Sequence, residues 1–329
     1  MARSSFHVLV IGADAGGLCL AHGLVKAGID VTVYEQDPAG IVFPQGFRVG
    51  LSAGGSRALY ECLPPESFDL FTASCAAPLR LGSRWTESLH KLGSTAFPEP
   101  PDPVGGEKAV SPGTLRQVLL ADAGEFVRFG QRLTHHERDR DGSVTAYFAD
   151  GTSATGDVLV PFRVRPEHPS HTGTVGGRVP LTAEVRQLLP AEMSKGVSMI
   201  FAPGGYFFLS HAMEFDAERR RALRPGVGEQ DVDHLAWTVT VPDGERLRDL
   251  RGEELLTTIR SLTPAWSPKL HKLFGLTDPA TCFTGTSAQE TGVDTALRDA
   301  RILRARLVAA RDGGFTLQEL ETRECAQRR

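Results

Sequence analysis

Gly12-Ala13-Asp14-Ala15-Gly16-Gly17 has the residue types of a turn that grips phosphate, with one exception. In a dinucleotide fingerprint the first glycine makes a tight turn, the second lets backbone approach a pyrophosphate, and the third lets the next helix close on the strand. Gly12 and Gly17 keep the outer positions, and Asp14 takes the central one. Amides at a helix N-terminus attract negative charge, which is why phosphates settle there. Asp14 can reach those donors from within the chain, so the pattern predicts a self-capped helix end, stabilised by roughly 0.5–2 kcal/mol. The same carboxylate would repel a doubly charged pyrophosphate. Glu35, about 20 residues past the glycines, stands where an acid binds a ribose hydroxyl.

The elements that must position these residues can be read on either side of them. A strand over 6–11, a helix over 15–27 with Gly28 as its C-cap, and a β-branched strand over 30–35 make a βαβ unit. Such a unit implies a right-handed crossover and a doubly wound parallel sheet. Beyond the proline-rich loop at 96–106, Ser111-Pro112-Gly113-Thr114 opens a helix running to about Ala121. Hairpin signals follow at 127–129, 132–138 and 144–148, then a strand at 157–160. Strands over 173–181, 197–201, 205–211 and 234–241 predict a second, mostly antiparallel sheet, with helices over 182–189, 252–261, 294–311 and 315–325.

With 329 residues, 41% of them hydrophobic, the chain can bury a large core, and a net charge of −4 without a long basic block argues against a nucleic-acid partner. Cys19, Cys62, Cys75, Cys282 and Cys325 are scattered, which predicts reduced thiols and no metal site. No apolar run reaches membrane-spanning length, and the first residues lack a signal-peptide pattern. These features predict a cytoplasmic protein with no membrane partner, and leave a homodimer open.

The segments GIDVTVYEQDP (28–38), QGFRVGL (45–51), SPGTLRQVLL (111–120), VRFGQRL (127–133), FADGTSATGDVLV (148–160), GGRVPLT (176–182) and TALRDARILRARL (295–307) follow one another along the chain. In types and order they resemble the bacterial flavin-dependent aromatic monooxygenases of the hydroxybenzoate-hydroxylase fold. The resemblance spans nearly the whole chain. It implies an α/β fold: a Rossmann-like FAD-binding-type domain (1–70, 105–165 and 281–329) with an inserted, mostly antiparallel substrate-domain sheet (71–104 and 166–280).

The flavin motifs that the family carries are altered here. Asp14 replaces the central glycine, Pro161-Phe162-Arg163-Val164 stands where an Asp-Gly segment would follow the strand, and no Gly-Asp dipeptide precedes the C-terminal helix. Three losses in one site predict a chain without a cofactor, in which Gly12, Asp14, Gly17, Glu35 and Arg116 are vestiges. The alternative is a working enzyme with FAD and NADPH. By the same resemblance, Glu290 and Asp294 occupy the turn that would face the flavin ring, either as helix-capping acids or, for Glu290, as an acid or base in the vacated space.

In the second sheet, alternation places Tyr206, Phe208 and Ser210 on one face and Phe207, Leu209 and His211 on the other, and groups Leu235, Trp237 and Val239. One face packs on core, and the other is free to line a cavity. His211 is the best titratable candidate, either as a proton-transfer group or as a core histidine held by a carbonyl. Arg48 and Arg178 either hold a substrate oxygen or pair with a nearby acid. The expectation drawn from these residues is a flavin-independent, redox-neutral isomerase or cyclase acting on a polyketide-like or polycyclic small molecule. His211, Glu290 and Arg48 would be catalytic, and Phe47, Arg178, Tyr206, Phe208 and Trp237 would contact the hydrophobic substrate. Two rivals stand beside it: an FAD- and NAD(P)H-dependent monooxygenase, and a non-catalytic protein that binds a hydrophobic metabolite.

Overall fold

The computed structural model describes residues 6–39, 47–162, 172–285 and 289–314, the side chains of 289–291 excepted. Along the chain the strands are β1 (His7–Ile11), β2 (Asp30–Glu35), β3 (Val49–Leu51), β4 (Leu81–Trp85), β5 (Lys91–Ala96), β6 (Lys108–Val110), β7 (Val127–Phe129) and β8 (Leu133–Arg138). They continue as β9 (Val144–Phe148), β10 (Ser153–Gly156), β11 (Val158–Pro161), β12 (Gly173–Pro180), β13 (Val197–Phe201), β14 (Phe207–Met213), β15 (His234–Val241) and β16 (Phe283–Gly285). The helices are α1 (Ala15–Lys26), α2 (Ala53–Cys62), α3 (Pro65–Ser74), α4 (Pro112–Leu120), α5 (Ala183–Leu188), α6 (Ala217–Leu223), α7 (Gly252–Leu262), α8 (Pro268–Gly275) and α9 (Gln289–Arg311).

The predicted βαβ unit is present, and its sheet is parallel in the order β11-β1-β2-β7. His7-Val8-Leu9-Val10-Ile11 is apolar along nearly its whole length because both faces of that sheet are covered. Val8 and Val10 join a core with Leu18 of α1, Leu59 of α2, Leu115 of α4 and Leu297 of α9. Leu9 and Ile11 face the other way, onto Ala146 and Phe148 of the three-stranded antiparallel sheet β10-β9-β8. Gly17 permits the strand–helix contact, because a side chain there would overlap the Gly12 carbonyl oxygen.

A seven-stranded sheet in the order β16-β12-β15-β14-β13-β4-β5 forms the second layer system, antiparallel except where β13 runs beside β4. Its strand β16, which the boundary at 281 assigns to the nucleotide-type unit, pairs with β12 of this sheet. One face is dry. Phe208, Trp237 and Val239 pack there against Leu256 of α7 and Phe274 of α8, and the Trp237 indole Nε1 donates to Thr277 Oγ1 at 3.0 Å. The opposite face carries a row that crosses four strands, Arg178, Ala236, His211 and Val197, each directly beside the next. Trp237→Ala removes the largest fully buried side chain of this core. It is expected to cost about 3–5 kcal/mol, read as a lowered urea midpoint, whereas Tyr206→Ala, at the half-buried edge of the same cluster, should cost clearly less.

Candidate functional site

The turn between β1 and α1 is not self-capped. Asp14 is the N-cap of α1 by backbone (φ −80°, ψ 173°), yet its carboxylate accepts no hydrogen bond from the turn, which corrects the expected cap. Part of the residue is open to solvent, and protein surrounds the rest of it. The protein packed around Asp14 raises its pKa above the usual carboxylate range. The negative charges of Glu35 and Asp37 add to that rise, and Arg116 opposes it. Gly12 has φ +109°, and a Cβ there would stand 2.7 Å from the Phe162 carbonyl oxygen. The Phe162 ring and Ala296 of α9 close on Gly16 from outside. Glu35, buried at the end of β2, accepts from the backbone N–H of Ala13 at 2.7 Å and of Asp37 at 3.0 Å.

A cavity of about 1760 Å³ lies beside α9 and the row-bearing face of the large sheet. Ser52, Asp294, Thr295 and Arg298 line one end of it, and Arg48, His211 and Lys108 project into its wall. Asp294 does not cap its own helix. Its carboxylate accepts from the Ser52 N–H at 2.8 Å and from Ser52 Oγ at 2.9 Å, so α9 is tied to the N-terminus of α2, whose positive end favours the charge. Lys108 donates to the Pro103 carbonyl at 2.7 Å, and burial lowers its pKa. Burial also pushes the neighbouring Cys75 thiol up to about 12, too high for a nucleophile at neutral pH.

His211 is 2% exposed, and neither ring nitrogen has a hydrogen-bond partner. The reading of a core histidine satisfied by a carbonyl therefore does not hold. Burial, then the charge of Arg48, then His234 bring its pKa down to about 3, so the ring is neutral. The structure brings Arg48 and His211 to the same cavity. Phe47 and Arg178 meet each other next to it, with the guanidinium 4.8 Å from the ring centre and Phe47 edge-on to His234 and Phe283. Tyr206, Phe208 and Trp237 are not brought to the cavity. They pack around Trp266 and Phe274, on the opposite face of the sheet from His211, because residues of the other alternation class point to α7 and α8. Glu290 lies in the first turn of α9, and its side chain is outside the described residues. Ser52 and Lys108 are site residues that sequence reasoning passed over. Neither carried a readable signal: Ser52 precedes Ala53-Gly54-Gly55, which are poor helix formers, and Lys108 stands in a three-residue strand.

Comparison with known proteins decides what this architecture belongs to. A family profile described as an NAD(P)-binding Rossmann-like domain matches residues 10–40. The FAD-dependent monooxygenase cctM of Talaromyces islandicus is 33% identical over 290 residues, covering 80% of this chain and 70% of that protein. The dual O-methyltransferase/FAD-dependent monooxygenase elcB of Phaeosphaeria nodorum is 30% identical over 84% of this chain. This chain spans about a third of such larger relatives, 34% of elcB. Among solved structures, HpxO of Klebsiella pneumoniae, complexed with FAD and uric acid, superposes with a TM-score of 0.72 at 20% identity, covering 92% of this chain and 80% of that one. These relatives overturn the expectation of a chain without a cofactor: the group they carry is FAD. The residues present fit it at the uncapped turn of α1, at the left-handed Gly12 and at the buried Glu35 carboxylate. Asp14 makes none of the hydrogen bonds that self-capping requires, so the altered fingerprint leaves the turn amides unoccupied by its carboxylate. The chain belongs to the family of FAD-dependent monooxygenases.

Proposed function

We propose that this chain is an FAD-dependent monooxygenase that hydroxylates an aromatic or polycyclic small molecule at the expense of a nicotinamide reductant. One observation carries the reading. The first residues of α9 form a wall of both parts of the site, with Ala296 against Gly16 of the phosphate turn and Asp294, Thr295 and Arg298 at the cavity. A cofactor with a nucleotide end and a ring end suits that arrangement, and a volume of about 1760 Å³ leaves room for a planar substrate beside the ring. The isomerase and cyclase readings rested on a lost flavin and fall with it.

The backbone N–H groups of the α1 turn would hold the pyrophosphate, Glu35 the ribose hydroxyls, and the end of the cavity lined by Ser52 and Asp294 the ring. Bound FAD supplies the chemistry of passing a reductant's electrons to O₂ so that one oxygen atom enters the substrate. The chain's own residues do the rest. Neutral His211 accepts a hydrogen bond from a substrate hydroxyl, because its burial keeps the ring from protonating. Arg48 favours negative charge developing on a substrate oxygen, and its charge also suppresses protonation of His211. The dry wall of Ala76, Ala109 and Val197 excludes water.

The direct test is titration of flavin-free protein with FAD, followed by visible absorbance and flavin fluorescence at pH 6. Saturable uptake is expected, with Glu35→Ala weakening it by about ten-fold or more. Absence of uptake by the unaltered chain and by its Asp14→Asn variant would sink the reading. His211 makes a second prediction. Its folded pKa of about 3 lies below the 6.5 of an unperturbed histidine, so between those values the unfolded chain binds the extra proton. Stability is therefore complete above that window and is lost as pH is lowered through it, by about 1.4 kcal/mol per pH unit for this group. His211→Leu should flatten the dependence measured by urea unfolding between pH 4.5 and 7.5 and reduce turnover. His22 and His234, also lowered by burial, leave a residual slope.

A further inference from the structure

We propose that Asp14 makes flavin uptake proton-coupled: the pyrophosphate of FAD settles on the first turn of α1 as Asp14 takes up a proton, and leaves as that proton is lost. The inference rests on the FAD reading above and adds a property that glycine at this position could not confer.

The geometry sets the conflict. Asp14 stands at the N-cap of a 12-residue helix, at the positive end of its dipole, and its carboxylate makes no hydrogen bond to the turn amides. The amides and the carboxylate therefore border the same space without satisfying one another. A pyrophosphate using those amides brings two negative charges beside a third. Coulomb repulsion at such separations, in the effective dielectric of a protein surface, amounts to a few kcal/mol before screening by salt.

The charged groups facing Asp14 from the elements packed around it push the same way. Glu35 at the end of β2 and Asp37 in the turn after it disfavour the ionised form, and among the described residues only Arg116 of α4 opposes them. Incoming phosphates add to the larger side of that balance. Protonation also changes what Asp14 can do: an acceptor that repels phosphate oxygen becomes a hydroxyl that donates to it. Linkage fixes the sign. A group whose pKa rises on binding takes up a proton with the ligand, so affinity is highest at low pH and declines as pH rises through the bound-state pKa.

The test is FAD titration of flavin-free protein, followed by fluorescence quenching from pH 5 to 8.5 at fixed ionic strength. ADP-ribose, which keeps the pyrophosphate and lacks the flavin, and riboflavin, which lacks the pyrophosphate, serve as parallel probes. For the unaltered chain, affinity for FAD and ADP-ribose should fall as pH rises while riboflavin binding stays flat. Calorimetry in two buffers of different ionisation enthalpy should show close to one proton taken up per FAD. Asp14→Asn keeps a good N-cap residue and removes the charge, and Asp14→Gly supplies a second variant if the amide perturbs the turn. Both should bind FAD about 10- to 100-fold more tightly at pH 8, with a flat pH profile. Equal affinities and equally flat profiles for the unaltered chain and both variants would overturn the inference while leaving the FAD reading intact. Failure of all three proteins to take up FAD at any pH would overturn both.

Discussion

The approach of α9 to α1 is the contact on which the rest of the site depends, and it exists because side chains are missing. A Cβ on Gly16 would stand 2.9 Å from that of Ala296, and one on Gly23 would stand 2.6 Å from the Arg304 side chain, which donates instead to the Gly23 carbonyl at 3.0 Å. With the helices this close, Asp294 reaches Ser52 at the head of α2. That one carboxylate fixes the cavity end of α9 relative to β3 and α2, while Ala296, less than a turn away, closes on the phosphate turn. The two halves of the site therefore share one rigid wall.

Charge is distributed over the site by burial as much as by sequence. His211 and Lys108 lie near Arg48 on the cavity wall, and burial disfavours the charged form of the first two. The result is a stretch of cavity wall where the Arg48 guanidinium stands beside groups whose charged forms burial disfavours. Such an environment suits a substrate oxygen that gains negative charge during reaction better than one that is cationic at the start. At the other end of the chemistry, the phosphate turn carries an acidic excess of Asp14, Glu35 and Asp37 against Arg116. The electrostatic environment thus differs between the two ends: cationic at Arg48, acidic at the turn before α1.

The fold was legible where alternation and punctuation are strong. The β15 strand lies over 234–241 as expected, and β1, β2 and α1 agree with the pattern to within a residue. The β14 strand begins two residues later than expected because Pro203-Gly204-Gly205 forms a turn, with both glycines at positive φ. Helix α2 was invisible: Ala53-Gly54-Gly55 opens it with poor helix formers, and its start is secured by Ser52 and by Asp294 from the far end of the chain. Strand β5 has no buried residue to produce a pattern and is held by pairing with β4. The candidate site was half legible. Alternation within β14 separated His211 from Phe208 correctly, but which face meets the cavity is decided by α7 and by α8, the second of which gave no signal. Residue type alone also could not tell that Asp14 makes no hydrogen bond to the amides it precedes.

The glycine fingerprint splits into two kinds of constraint. At Gly17 a methyl group would collide with the carbonyl of Gly12, and at Gly12 any larger residue would face both a left-handed backbone and the Phe162 carbonyl, so both positions are held by the architecture whether or not a nucleotide ever binds. The central position meets neither obstacle, since Asp14 sits there at an ordinary φ of −80° and is partly open to solvent. The middle of the motif can therefore take a side chain without a steric clash, although burial and the neighbouring acids disfavour its charge. A break at the centre of G-x-G-x-x-G is thus compatible with an intact fold, whereas a break at either outer glycine is not.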